Sequence, residues 1–297
     1  MLLVGWCGCA EADPAVSEPP PGPAEPFSVM TFNVLCSFCG GSEDYDSWTE
    51  RLAYFRDLFS RHEPDLIGLQ ELAFESEVDE LLALRPGYGA IYYRAEESGF
   101  AYPDATLLYR SNRFEPLASG AYWLSPTPDV PSSRGFSDEQ VTPRLVVWAE
   151  LLDRASRRTL YAATTHFDNN PPCQERSAPL VLERTAPWAA HTPVVVVGDF
   201  NSQPADQAFV ILSQGDGGGF ELSDTQPLAA DWSVHSNQAP VPDYPLDQRI
   251  DHIFVGPDGP SWVVDRWTVD LQIYGLLDRY PSDHRAMVAV ITAPELR

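Results

Sequence analysis

Four valines run straight into Gly198, Asp199, Phe200 and Asn201 in VVVVGDFNS, residues 194–202. An unbroken apolar run of this kind reads as a strand buried on both faces of a sheet. It delivers one carboxylate and one carboxamide to its carboxyl end, where sheets present chemistry. Neither group is tolerated unpaired in a core, so both face a cavity, a partner or a metal. The pattern recurs along the chain. Asn33 lies at the end of FSVMTFNV, Glu71 at the end of DLIGLQEL, and His166 and Asp168 at the end of RTLYAATTHFD. Asp251 and His252 sit in RIDHIFV, and Asp283 and His284 open the last apolar run.

Each of these residues has an ordinary use when taken singly. Asn33 and Asn201 suit turns, and a lone histidine beside an apolar strand is usually a hydrogen-bonded structural group. Together they suit one task. Carboxylates and carboxamides are hard oxygen donors, fitted to magnesium or manganese rather than to zinc or copper. Magnesium takes only one or two protein carboxylates, so Glu71 and a single partner suffice. Histidines can exchange protons with a phosphoryl oxygen or a water. The asparagine side chains and Arg144 can hold non-bridging oxygens as their charge grows. This is the equipment for metal-assisted hydrolysis of a phosphoester.

The elements that must position these groups are legible in outline. Residues 27–34 alternate as a strand, and Ser47-Trp48-Thr49-Glu50 forms a capping box. Trp48, Leu52, Phe55 and Phe59 then follow at helical spacing up to Pro64. Further strands are expected over 65–72, 89–94, 105–110, 143–153 and 158–168, the last two as a hairpin. Helices are expected over 76–85, about 176–190 (interrupted by Pro179 and Pro187) and 205–213, with a loose glycine-rich loop at 215–219. The final strands are expected over 249–255, 261–271 and 284–291. Strands outnumber helices and many neighbours read as hairpins. The expected architecture is therefore α/β, two mixed sheets packed face to face as a sandwich with helices outside, in one domain over 27–297.

Composition narrows the function. The 297 residues carry a formal net charge of -24, and all nineteen basic residues are arginine. The absence of lysine excludes a phosphate-loop lysine, a Schiff-base lysine and a kinase ATP-binding lysine. The acidity argues against nonspecific nucleic-acid binding, which runs on neutralised phosphates. It leaves room for a nuclease whose cleft inverts the local field. Ser282-Asp283-His284 is no hydrolase triad, because adjacent residues cannot align on one reacting atom. Tyr122, Trp123, Trp232 and Tyr244 fall in loop-like stretches, to stack on bases or lipid or to pack beneath the loops.

Residues 1–10 resemble the tail of a truncated lipoprotein signal with Cys9 as the acylated residue, although charged residues ahead of the apolar stretch are missing. Residues 11–26 are a Pro/Ala/Glu-rich linker that cannot bury a core. An exported protein, in the cell envelope or outside the cell, is the setting these imply, with membrane contact only through that N-terminal lipid anchor. In such a setting Cys36, Cys39 and Cys173 are expected to form a disulfide, one of the first two pairing with Cys173 as an option. No second pair completes a zinc site.

The order N-V, GLQE, T-H-x-D, GDFN, IDHIFV and SDH, spread over about residues 29–291, resembles the endonuclease/exonuclease/phosphatase superfamily with its deoxyribonuclease-I-like fold, in a bacterial exported subgroup. That resemblance implies that Glu71 binds the metal, Mg2+ with Mn2+ able to substitute, with Asn33 close by and Asp283 as a further ligand. It implies that Asp199 positions or deprotonates the attacking water and that Asn201 holds the phosphate. His284, oriented by Asp251, would contact the scissile phosphate. His166 occupies a phosphate-contacting position, and Arg144 in Thr142-Pro143-Arg144 resembles a substrate-facing arginine. Leu35 stands where some nucleases of the superfamily carry an acid, which weakens a two-metal scheme. Asp168 and His252 match motif positions that suit loop orientation and packing beneath the site. The resulting expectation is a monomeric, metal-dependent phosphodiesterase or nuclease acting on a phosphoester, nucleic acid included. A phosphatase, a sphingomyelinase-like phospholipase and a catalytically retired binding module are the alternatives.

Overall fold

The computed structural model describes residues 21–41, 43–95 and 98–295. The signal-like residues 1–10 and most of the linker lie outside the described residues. In chain order the strands are β1 (Phe27–Asn33), β2 (Leu66–Gln70), β3 (Tyr88–Arg94), β4 (Ala101–Arg110), β5 (Phe114–Trp123), β6 (Leu145–Asp153) and β7 (Arg158–His166). They continue with β8 (Val194–Asp199), β9 (Ser223–Asp224), β10 (Trp232–His235), β11 (Asp251–Gly256), β12 (Val263–Asp270) and β13 (Met287–Thr292). The helices are α1 (Trp48–His62), α2 (Glu75–Leu84), α3 (Cys173–Ala189), α4 (Gln207–Gln214) and the short α5 (Thr225–Leu228).

Two mixed sheets result, as the strand-rich pattern implies. The seven-stranded sheet has the order β10-β12-β13-β1-β2-β4-β3, and the six-stranded sheet β5-β6-β7-β8-β11-β9. Their facing sides interdigitate, with Val29, Leu66 and Leu107 of one meeting Val195, Val197 and Ile253 of the other. The approach is tight at Gly68, where a Cβ would stand 2.2 Å from Val197 Cγ2. α1 and α2 cover the outer face of the first sheet through Phe55, Leu58, Phe59 and Leu81. α3 and α4 cover the second through Val181, Leu182 and Leu212. Each of these large side chains contributes about 2 kcal/mol by leaving water.

Register decides what meets at the site. β1 runs parallel to β2 and puts Asn33 beside Gln70, one residue before Glu71. β7 runs parallel to β8 and puts His166 beside Asp199. β11 runs antiparallel to β8 and puts Asp251 on the other side of Asp199. Gly198 permits this crowding, because a Cβ there would stand 2.1 Å from the Thr165 carbonyl oxygen. At the opposite end of the same strands, Arg113 donates to the carbonyl oxygens of Pro26 (2.7 Å) and Glu25 (3.2 Å). Arg158 donates to that of Gly22 (2.9 Å).

Several elements depart from expectation. β5 is absent from the sequence reading because Pro116 and Gly120 break its apolar pattern. It is an edge strand with a bulge between Pro116 and Ala118, the setting in which a sheet tolerates proline. Tyr122 and Trp123 therefore lie buried in a strand, not in a loop, while Trp232 is half exposed. α3 starts at Cys173 and passes through Pro179 and Pro187, held by its buried face despite the lost backbone bonds. β13 begins at Met287, later than the apolar run suggests, because Ser282, Asp283 and His284 form a side-chain-bonded turn. The disulfide joins Cys36 to Cys39, and Cys173 is a free, buried thiol, so a pairing with Cys173 is ruled out.

Candidate active site

Asp199 is the hub. Its Oδ2 accepts from Asn33 Nδ2 at 3.0 Å and faces His166 Nε2 at 3.5 Å and His284 Nε2 at 3.6 Å. Its Oδ1 accepts the Asn201 main-chain N–H at 2.9 Å. Four elements, the ends of β1, β7 and β8 and the turn before β13, converge on this one carboxylate.

Glu71 joins through Asn33, whose amide also donates to Glu71 Oε1 at 2.9 Å. The second oxygen, Oε2, accepts the Cys36 N–H at 2.9 Å. Asn33 Oδ1 accepts the Leu35 main-chain N–H at 3.0 Å, so this side chain ties two acids together with all its groups engaged. Glu71 and Asn201 both have positive φ, 70° and 46°, a region where residues other than glycine are strained and which is concentrated at functional sites. The Asn201 amide donates to the Phe167 carbonyl at 2.9 Å, which places it at the rim of the site.

On the far side, His284 Nδ1 lies 2.7 Å from Asp251 Oδ2. Burial opposes charge on this imidazole, but Asp251, Asp199 and Asp283 outweigh it and push its pKa up to about 10. Burial raises the Asp251 carboxyl despite the pull of His284. Ser282 fixes the turn by donating to the Asn33 main-chain carbonyl (2.7 Å) and accepting from His284 N (3.1 Å). Asp283 is exposed and borders the cavity beside His284. Its Oδ1 lies 3.2 Å from the Ser282 hydroxyl, and it belongs to neither cluster of potential ligands described below.

Arg144 lines the opening beside Glu71 and His166 and is at the same time tied to its neighbours. Its Nη1 contacts both oxygens of Asp104 at 3.2 Å and His166 Nδ1 at 2.6 Å, and its side chain is only 14% exposed. Burial opposes ionisation of Asp104, but the Arg144 guanidinium beside it overcomes this and holds the carboxyl down at about 2. Asp168 bonds the Asn170 backbone and side chain at 2.9 and 2.8 Å and so shapes the loop. His252 is buried among Phe200, Phe209 and Phe254, bonds the Ser202 carbonyl at 2.8 Å, and is held down at about 3 by burial and Arg249.

Two functional residues escaped the sequence reading. Asp104 sits inside AYPDATLLYR, and an acid in a buried strand was its signal. Arg51 is fully buried in α1, at helical spacing from Trp48 and Phe55. Its guanidinium binds the carbonyls of Val34, Leu35 (2.9 Å), Cys36 (3.2 Å) and Pro281 (3.2 Å). It thereby clamps the loop after β1 to the turn that carries His284. Burial pushes it down to about 10, against the pull of Asp283 and Glu71.

The donor set fits a hard divalent cation. Among the described residues, Glu71 clusters with Cys36 and Cys39, and Asp199 with Asp251 and His284, ligand atoms lying within 4.8 Å. The two cysteines are joined as a disulfide and offer no thiolate, which leaves Glu71 as a carboxylate suited to an ion that keeps its waters. One cavity of about 280 Å³ opens beside Glu71, Phe38, Tyr102 and His166. A second of about 410 Å³ opens beside Asp251, His284 and Arg285.

Two mixed sheets with acids, amides and histidines gathered at one end define the deoxyribonuclease-I-like sandwich. The chain belongs to the Endonuclease/Exonuclease/phosphatase family, which residues 30–284 match, a family of phosphoesterases. It is similar to the endonuclease/exonuclease/phosphatase from Bacteroides vulgatus, at 25% identity and a TM-score of 0.74 over 90% of this chain and 98% of that one. A mannosyl-6-phosphatase from Bacteroides thetaiotaomicron shares the fold, at 24% identity and a TM-score of 0.71 over 89% and 99% of the two chains. Protein angel of Drosophila melanogaster is 24% identical over 206 residues, 64% of this chain and 57% of that protein.

Proposed function

We propose that the chain is a divalent-metal-dependent phosphoester hydrolase with phosphodiesters, nucleic acid among them, as its favoured substrates. The observation that supports this reading is the convergence of Asn33, His166 and His284 on Asp199 Oδ2, within 3.0–3.6 Å, with Glu71 tied in through the same amide. Glu71 would hold the ion, Mg2+ or Mn2+ in its place, which when bound supplies Lewis-acid stabilisation of the phosphoryl oxygens. Asp199 is placed to orient an attacking water and take its proton. His284, protonated through its bond to Asp251, is placed to donate to an oxygen on phosphorus as negative charge develops there. Asn33 keeps the two acids apart at fixed distance.

A retired binding module would have lost one of these groups. Asn33, Glu71, Asp199, Asn201, Asp251, Asp283 and His284 are all present. The test is hydrolysis of an aryl phosphodiester against the matching monoester by the purified chain in magnesium, each with an EDTA control. Diester cleavage abolished by EDTA supports the proposal. Monoester cleavage alone redirects it to a phosphatase, and EDTA-resistant cleavage removes the metal.

A further inference from the structure

Two guanidinium groups flank the reaction centre, and only one has its charge answered. Arg144 is ion-paired with Asp104 and contacts His166, both through Nη1. Arg285, on the His284 side, has no carboxylate within ion-pair distance among the described residues. Its Nη1 donates to the main-chain carbonyls of Ser282 (2.8 Å) and His284 (2.9 Å). Its guanidinium carbon lies over the Tyr280 ring at 3.6 Å from the centroid. Among the described residues, Nε and Nη2 make no hydrogen bond. The group is thus rigidly aimed, held by backbone and ring, with donors left over.

Arg285 lines the cavity of about 410 Å³ that Asp251 and His284 also line, so this opening adjoins the reaction centre on its His284 side. Tyr244 and Tyr280 give it aromatic walls, and Pro242 and Pro245 extend the apolar surface. Three carboxylates border it. Asp251 is engaged by His284, while Asp243 and Asp283 are exposed. A forked donor with unused N–H groups beside aromatic walls matches a phosphate or carboxylate attached to a ring-bearing group.

We propose that Arg285 and this cavity form a subsite for a second anionic group of the substrate, bound next to the scissile phosphate on the His284 side. The inference rests on the phosphoester-hydrolase reading and adds a substrate class to it. Substrates with two anionic groups are preferred over those with one, whether the second is the next phosphate of a nucleic-acid strand or that of a small bisphosphate. The site also gives a strongly acidic chain a means of attracting a polyanion locally.

The test uses the full chain in magnesium with two matched pairs. One pair is a dithymidine phosphodiester with and without a further terminal phosphate, and the other a hexose bisphosphate and the corresponding monophosphate. The doubly anionic member of the correct pair is expected to have a kcat/KM about tenfold higher, carried by KM, the scale of one charge-assisted contact. The pair showing the preference identifies the source of the second anion. In Arg285→Gln the ratio within that pair falls towards one, and in Arg285→Lys part of it returns. A wild-type ratio near one in both pairs overturns the subsite without touching the hydrolase reading, and this result does not depend on any variant folding. An unchanged ratio in Arg285→Gln also overturns it. No hydrolysis of any phosphoester, these or the aryl esters, overturns both.

Discussion

Arg144 Nη1 stands 2.6 Å from His166 Nδ1, and because a guanidinium can only donate, that contact makes Nδ1 an acceptor. The ring hydrogen is left on Nε2, which faces Asp199 at 3.5 Å. Arg144 is therefore a positioning residue. In Arg144→Gln, Asp104 Oδ1, 3.2 Å from Nδ1, becomes the partner and draws the hydrogen to the wrong nitrogen. We expect turnover to fall about tenfold with KM less affected. Nitrogen NMR of His166 should show the change of tautomer, which a purely structural role would not produce.

Asp199→Ala and His284→Ala each remove a group placed for proton transfer. Turnover should fall by about 10²–10⁴-fold with the circular dichroism spectrum retained. Near-full activity in either variant would contradict the roles assigned to them.

Glu71→Gln keeps the shape that receives Asn33 and Cys36 but weakens the hard anionic donor. The magnesium concentration for half-maximal rate should rise about tenfold or more. Direct titration of the metal by calorimetry should show the same loss, and an unchanged requirement would remove Glu71 as a ligand.

Asp104 ties stability to pH. Its folded pKa, about 2, lies below the unfolded value near 3.8, so ionised Asp104 stabilises the fold above about pH 4. That stabilisation, about 2 kcal/mol, is lost as pH falls through the folded value. Urea unfolding at pH 7 and pH 3 should show a smaller difference in Asp104→Asn than in the wild type. The variant should also be less stable at pH 7 by about 3 kcal/mol, because Arg144 is left buried without its partner.

Gly198→Ala brings a methyl to within 2.1 Å of the Thr165 carbonyl oxygen. Backbone, not a flexible side chain, is the obstacle. We expect a loss of about 3 kcal/mol and a displaced Asp199, read as a lower urea midpoint together with lower turnover.

Strand-end chemistry was legible because apolar runs end visibly, and Asn33, Glu71, His166, Asp199, Asp251 and His284 do meet. The sandwich followed from the same runs. What escaped depended on the third dimension. Arg51 reads locally as one more charge in an amphipathic helix, and only the folded chain shows five carbonyls turned towards it. Arg144 stands out in the sequence for its charge, but only the fold shows Asp104, forty positions away, paired with it. Pro116 and Gly120 hid an edge strand, whose geometry tolerates what a central strand does not. The cysteine pairing turned on loop geometry, for which sequence spacing is silent.

β1 enters the domain at Phe27 and reaches the chemistry at Asn33, a span of about 20 Å along one strand. Arg113 and Arg158 grip residues 22–26 at the starting end. A pull on residues 22–26 is therefore taken up at the end of β1 farthest from the chemistry, which leaves the positions of Asn33 and its partners undisturbed.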